Sequence, residues 1–280
     1  MIDYTIQLPE YLEFARRNTH GVRLNETEVI SMERGLDNCL VELNKCYNAT
    51  HTENVGTYEE GVRCNYAAYV CYVQVEMIWS TDRPGNHRYD IRGKESSPRF
   101  HFLRILLAIG WIQQAIGVDL NYTSIASGEV LEAFNYNGDR VRNQALEDLS
   151  ELLNAGTRVV LVYGDADYQC NWFGGEAVSL AINFTGSDKF RAAGYAPLEV
   201  DRKRYGNTKE AGNFSFTRIF DAGHIGYDDK PAAFLEIFKR SISGHDIASG
   251  TTGYVGHGTK GQKHSSFNQS AADTVGHDAL

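Results

Sequence analysis

No serine of this 280-residue chain has a glycine two positions before it, so the chain holds no Gly-x-Ser-x-Gly strand-to-helix nucleophile turn. Ser127-Gly128 follows Ile-Ala and offers no such turn either. Long apolar runs are also missing. The best candidate, Leu106 to Ile112, is bracketed by Arg104 and by Gln113-Gln114, which excludes a membrane span there. Met1 to Pro9 has neither a basic n-region nor an apolar h-region, so it does not read as a signal peptide. Positive charge is in deficit, with 27 Lys and Arg against 36 Asp and Glu, a net charge of −9. With no basic stripe and no nucleic-acid motif, a phosphate-backbone partner is excluded. Internal repeats are absent too.

What is present centres on residues 158–174. Val159 to Tyr163 is an apolar run of β-branched and aromatic residues, the pattern of a strand buried in a parallel sheet. It stops at Gly164-Asp165-Ala166-Asp167. In open α/β sheets, functional groups sit just past the carboxyl ends of strands. Read alone, Gly-Asp-x-Asp is also an ordinary turn. A second strand is expected across Phe214, Phe216 and Ile219-Phe220, and it ends in Ala222-Gly223-His224. An Asp after one strand and a His after a later one keep the order in which Ser-His-Asp hydrolases of the α/β class carry their acid and base. The expected class is therefore α/β.

These stretches resemble the serine carboxypeptidases, the α/β-hydrolase peptidases that include yeast carboxypeptidase Y. Tyr163-x-Gly-Asp-x-Asp-x-x-Cys170-Asn-Trp-x-Gly174 is similar to the family's aspartate motif. Phe214-Ser-Phe-x-Arg218 with Ala-Gly-His224 is similar to its histidine motif. Tyr89-Asp90-Ile91-Arg92 and Gln114 to Val118 match further landmarks, so the resemblance covers roughly residues 30–243. It implies Asp167 as the triad acid, His224 as the base and Cys170 as a pocket-lining residue. Two positions depart from the pattern. Ile225 stands where the family has Met after its His, and Arg140 stands in Gly138-Asp139-Arg140 where the family has a Trp of the pocket for the side chain before the scissile bond. Both belong to the expected substrate pocket. The family's Gly-Glu-Ser-Tyr segment has no counterpart here.

The implied fold is the C-terminal part of an α/β-hydrolase, with two or three sheet strands visible and 158–163 central in the parent sheet. The implied reaction is removal of C-terminal residues from peptides, with no cofactor and no metal, the peptide's C-terminus being the partner. The missing serine leaves a non-catalytic binding remnant as the alternative, and an acyltransferase or lyase relative as a third reading. Family members are secreted or vacuolar.

Cysteine is sparse, at five residues, but patterned. Cys39 and Cys46, then Cys64 and Cys71, each lie seven apart, two helical turns on one face. Two such helices joined by the polar stretch Asn48 to Gly61 run antiparallel, which sets Cys39 against Cys71 and Cys46 against Cys64. Four reduced core thiols are the alternative. The spacing is too wide for a zinc knuckle. The hairpin resembles the family's disulfide-bonded helical cap over its active site.

Residues 1–99 are accordingly expected as a helical cap region, 100–243 as the hydrolase portion and 244–280 as a disordered polar tail. Within these, 4–17 reads as a loop entering an amphipathic helix that buries Tyr11, Phe14 and Ala15. Residues 100–118 read as one apolar helix, and a hairpin is expected around Glu199-Val200-Asp201. The tail, dominated by Gly, Ser, Thr and His, has too little apolar surface to offset its ordering entropy. Among the Asn-x-Ser/Thr sequons, Asn48 and Asn121 are the expected glycan acceptors, in polar loops. Asn213 is disfavoured at a strand entry.

Overall fold

Val159–Gly164 forms β1, and Phe214–Ile219 forms β4 parallel to it, with Val159 opposite Phe214 and Gly164 opposite Ile219. The parallel register places both carboxyl ends, and so both functional loops, at one edge of the sheet. The computed structural model describes residues 2–21, 23–50, 57–80, 88–93, 99–120, 122, 127–136, 141 and 144–265.

Two further strands complete the sheet among the described residues: β2, Ala196–Val200, and β3, Lys203–Ala211. The order is β1-β4-β3-β2, with β3 antiparallel to both neighbours. The expected hairpin is there, turning at Asp201 and Arg202, both at positive φ. β1, expected to be central in the parent sheet, has one side unpaired among the described residues.

The N-terminal helices begin with α1, Tyr4–Arg17, which starts at Tyr4 rather than after a loop because Asp3 caps it through the Ile6 N–H. Its Tyr11, Phe14 and Ala15 are buried as expected. Next come α2, Glu26–Thr50, and α3, Tyr58–Cys71, the second running into a π-turn at Tyr72–Glu76. Disulfides join Cys39 to Cys71 and Cys46 to Cys64. Residue 99 is not a packing boundary. Tyr11, Phe14 and Met32 share one buried cluster with Phe214 and Phe216, so α1 belongs with the sheet.

The single helix expected over 100–118 is two, α4 at Arg99–Leu107 and α5 at Gly110–Ala115. The chain breaks between them at Ile109, which is extended. After them come α6, Gly128–Tyr136, and α7, Ala145–Asn154. Beyond β1 come α8, Trp172–Ala181, and α9, Ser187–Ala192; beyond β4 come α10, Gly226–Asp229, and α11, Pro231–Ser243.

The expected disordered tail is ordered from Gly244 to Ser265. Gly244, at positive φ, ends α11, and the chain then turns back over the sheet, pairing His245 with Gly253, Ala211 with Gly258 and Tyr195 with Gln262. Its apolar content is small, and polar anchors compensate. Asp246 accepts from the N–H and hydroxyl of both Ser249 and Thr252. Glu210 Oε2 accepts the Ile247 N–H at 2.8 Å, and Arg240 donates to the Ile247 and Ala248 carbonyls. These partners come from distant strands and helices, so composition did not reveal them. Residues 266–280 lie outside the described residues.

Candidate active site

The Asp loop follows β1 directly. Gly164 is required there because a Cβ would fall 2.3 Å from the Ala222 carbonyl oxygen of the His loop. The Asp165 N–H donates to Ile219 O at 2.9 Å and the Ala166 N–H to Ala222 O at 2.8 Å, tying the loops backbone to backbone. Asn171 then caps α8 through the Gly174 N–H, which ends the loop. From the helical side, Tyr168 packs between Tyr11 and Trp79, with both ring centroids at 4.8 Å, and donates from its hydroxyl to Val75 O. Residues of the N-terminal helical region, Tyr11, Val75 and Trp79, therefore set the Asp loop.

Asp167 and His224 meet. His224 Nδ1 lies 2.8 Å from Asp167 Oδ2, and Asp167 Oδ1 accepts the Cys170 N–H at 3.0 Å. With Asp167 buried and accepting, Nδ1 carries the proton and Nε2 is left for chemistry. Burial pushes the Asp167 carboxyl upward, against its bonds from His224 and from the Cys170 and Gln169 N–H groups. The bond to Asp167 and then that to Cys170 lift His224 to about 10, against burial, so the proton stays on the imidazole side of the pair.

Asp165 has another task. Its Oδ1 accepts the Asp221 N–H at 2.8 Å, where Asp221 sits at φ 51°, and its Oδ2 faces Arg218 at 3.3 Å. It thus fixes the residue that turns the chain into Ala-Gly-His. His20 also reaches Asp165, a contact with no sequence signal.

Sequence reading gave Tyr89 to Arg92 no role beyond its match to a landmark. The segment clamps the His loop. The His224 N–H donates to Tyr89 O at 2.8 Å, and Arg92 donates to Asp221 O and to Asp229 Oδ2, which itself accepts the Gly223 N–H. A Cβ on Gly223 would meet Asp90 Oδ2 at 2.8 Å. The Tyr89 ring flanks the His224 ring with centroids 5.0 Å apart.

Cys170, expected as a pocket-lining residue, lies beside the pair. Its Sγ, a His224 ring nitrogen and an Asp167 carboxylate oxygen lie within 4.8 Å of one another. The tight turn Asp167–Cys170 folds the thiol back. Ile225 follows His224 and is half-buried. Arg140 and Asn121 lie outside the described residues. Asn48 is exposed but sits in α2, not a loop. The Asn213 amide nitrogen donates to Leu153 O and Thr157 O, which leaves it no room for a glycan. Donor atoms of Glu210, Asp246 and His257 also cluster, yet the two carboxylates are occupied by Arg158, the Ile247 N–H, Ser249 and Thr252.

A parallel strand pair that delivers an Asp and a hydrogen-bonded His at its carboxyl ends, in a chain that also carries a disulfide-bonded helical hairpin, fits an α/β-hydrolase. Residues 1–244 match the sequence model of the serine carboxypeptidase family, and the chain belongs to that family. It is 36% identical over 263 residues to carboxypeptidase S1 homolog B of Arthroderma otae, covering 89% of this chain and 39% of that protein. It is 30% identical over 250 residues to carboxypeptidase S1 of Penicillium janthinellum, covering 89% of this chain and 56% of that one. A solved prohormone-processing carboxypeptidase from Saccharomyces cerevisiae superposes with a TM-score of 0.57 at 18% identity, covering 87% of this chain and 53% of that one. The chain spans about two fifths of the length of the first two curated relatives, 39% and 40%.

Proposed function

We propose that this chain supplies the acid–base half of a serine-type carboxypeptidase. The observation that carries the reading is the 2.8 Å contact between His224 Nδ1 and Asp167 Oδ2, in a chain of this family. In that role Asp167 holds the imidazole in one tautomer and stabilises the imidazolium. His224 Nε2 takes the proton of a serine hydroxyl and then returns it to the leaving amine. The substrate is a peptide entering by its C-terminus, with Cys170 and Ile225 lining the pocket beside His224, and Arg140 assigned there by its place in the motif. None of the serines of these 280 residues stands in a Gly-x-Ser-x-Gly turn, so in this reading another segment supplies the serine.

The test joins the part of the Arthroderma otae carboxypeptidase S1 homolog B that this chain does not cover to this chain. The joined enzyme is then assayed on a blocked dipeptide. Hydrolysis that disappears in His224→Ala and falls steeply in Asp167→Asn supports the reading, and hydrolysis untouched by either refutes it.

One observation favours a second reading, a non-catalytic binding remnant: the chain itself has no Gly-x-Ser-x-Gly. It predicts that the joined enzyme stays inactive while still binding peptide. The two disulfides fit maturation in an oxidising, secretory-pathway compartment, and exposed Asn48 is the better glycan acceptor there.

A further inference from the structure

Of the arginines that are buried or half-buried among the described residues, Arg92, Arg158, Arg218 and Arg240 each face a carboxylate. Arg88, also half-buried, is the exception. Its Nη1 donates to the Tyr72 hydroxyl at 3.1 Å and its Nη2 to the Tyr89 hydroxyl at 3.2 Å, while its Nε is buried with no acceptor. The guanidinium lies 4.9 Å from the Tyr89 ring centroid and 6.0 Å from that of Tyr72. Asp90, close by in sequence, is bound to Arg92 instead.

A guanidinium drawn out of water is ordinarily matched by a counter-charge, because an unpaired charge is costly to bury. Hydroxyl partners leave Arg88 a net cation with N–H groups to spare. The Tyr89 ring beside that cation also flanks His224, with centroids 5.0 Å apart, so the cation stands one ring away from the imidazole. The Arg88 carbonyl oxygen meanwhile accepts the Tyr168 and Gln169 N–H groups, which ties its backbone to the Asp loop. We propose that Arg88 is a specificity-determining residue that favours peptides with an acidic side chain next to the scissile bond. The proposal rests on the carboxypeptidase reading above and names the substrate chemistry of that site.

Carboxylates of the adjoining segments are already engaged. Asp167 is bonded to His224, Glu76 of the π-turn accepts from Gln169, and Asp229 accepts from Arg92. The counter-charge for Arg88 is therefore left to a ligand. Successive Cα atoms of a peptide lie about 3.8 Å apart, so a residue on either side of the bond held at His224 can lay a Glu side chain along the Tyr89 ring. A carboxylate accepts from a guanidinium through both oxygens. An amide of the same shape cannot, because one of its two polar ends is a donor. The two positions flanking the bond share this chemistry, and the choice of substrates separates them.

The test assays the joined enzyme on blocked dipeptides with Glu or Gln at the last position and, in a second pair, at the position before it. In one of the pairs kcat/KM should favour Glu over Gln by at least about tenfold, as for a charge-assisted hydrogen bond. Arg88→Met should bring that ratio to about one, and Arg88→Lys, which keeps the charge, should retain part of it. If Arg88 only holds the loop, or binds the α-carboxylate common to all these peptides, both rates fall together and the ratio survives, which overturns the proposal. A wild-type ratio of about one or less in both pairs overturns it as well, whether or not Arg88→Met folds. Activity that is absent altogether counts against the carboxypeptidase reading, and the subsite is then decided by NMR on the chain alone. N-acetyl-glutamate α-amide should shift the Tyr89 and His224 ring protons, N-acetyl-glutamine α-amide should not, and Arg88→Met should remove the shift. Equal shifts from the two amides, or none from either, would then refute the subsite.

Discussion

His20 Nε2 lies 3.0 Å from Asp165 Oδ1, with 5% and 0% of the two side chains exposed. The two acids of Gly-Asp-x-Asp therefore hold two different histidines, one from the N-terminal segment and one from the His loop. Asp165 also faces the buried Arg218 guanidinium, which lies over the Trp172 ring at 4.0 Å. Asp165→Asn removes the charge partner of that guanidinium, and breaking a buried pair costs about 3–5 kcal/mol. We expect a loss of that size in urea unfolding. Asp167→Asn, whose partner is partly exposed, should lose much less. Equal losses would show that Asp165 does not carry the loop.

In the chain alone, with no serine beside Nε2, His224 should titrate above the free-histidine value. Its folded-state pKa is raised from 6.5 to about 10, so its contribution to stability is fully present below 6.5 and is lost as pH climbs through about 10. Proton NMR of the His224 ring should show the raised titration, and Asp167→Asn should bring it down towards 6.5. A wild-type ring that titrates at the free-histidine value would contradict the geometry of the pair.

Asp246 shows the opposite sign. Burial works to raise it, but the N–H and hydroxyl groups of Thr252 and Ser249 outweigh that and bring the carboxyl to about 2. Its stabilisation is present above 3.8 and lost as pH falls through about 2. Asp246→Ala leaves several donors unsatisfied, and we expect a cost of about 1–3 kcal/mol with earlier proteolytic cleavage between 245 and 259. Cleavage kinetics unchanged from wild type would mean the strap is held by something else.

The chain made alone should not hydrolyse a blocked dipeptide. A triad acts as a unit, and the chain carries no Gly-x-Ser-x-Gly serine for His224 to deprotonate. Phe102, Trp111 and Leu120 are also exposed by 67%, 70% and 79%, apolar surface that should drive self-association, visible by light scattering. Turnover together with labelling of any serine by a phosphonofluoridate would show that the nucleophile is present after all.

Much of the site was legible because its signals are local. β1 and β4 read as apolar runs, and the loops that end them carry Gly-Asp-x-Asp and Ala-Gly-His. The paired seven-residue cysteine spacing likewise drew the α2–α3 hairpin. β3 was not legible as a buried strand, because its buried residues Thr208, Lys209 and Glu210 are polar. The Lys209 ammonium reaches the Arg191 and Ala193 carbonyls, and Glu210 reaches Arg158; such partners have no sequence period. The order of 244–265 and the turn of Cys170 towards His224 were hidden for the same reason: each rests on contacts between residues far apart in sequence or on the shape of one tight loop.

Arg158, at the entrance to β1, donates to Glu210, to the Arg240 and Ser241 carbonyls at the end of α11, and to the His245 carbonyl, with its guanidinium 4.4 Å from the Tyr254 ring centroid. One side chain thus joins the first strand, the last helix and the strap that follows it. These three cannot open one at a time without stranding a buried guanidinium, so they should behave as one cooperative unit. Amides at 245–259 and in the last turn of α11 should exchange hydrogen together, at a rate that Arg158→Met speeds for both at once. Independent exchange of the strap would dissolve that unit, and would make residues 245–265 a separable attachment to the family's fold, which its sequence model matches only as far as residue 244.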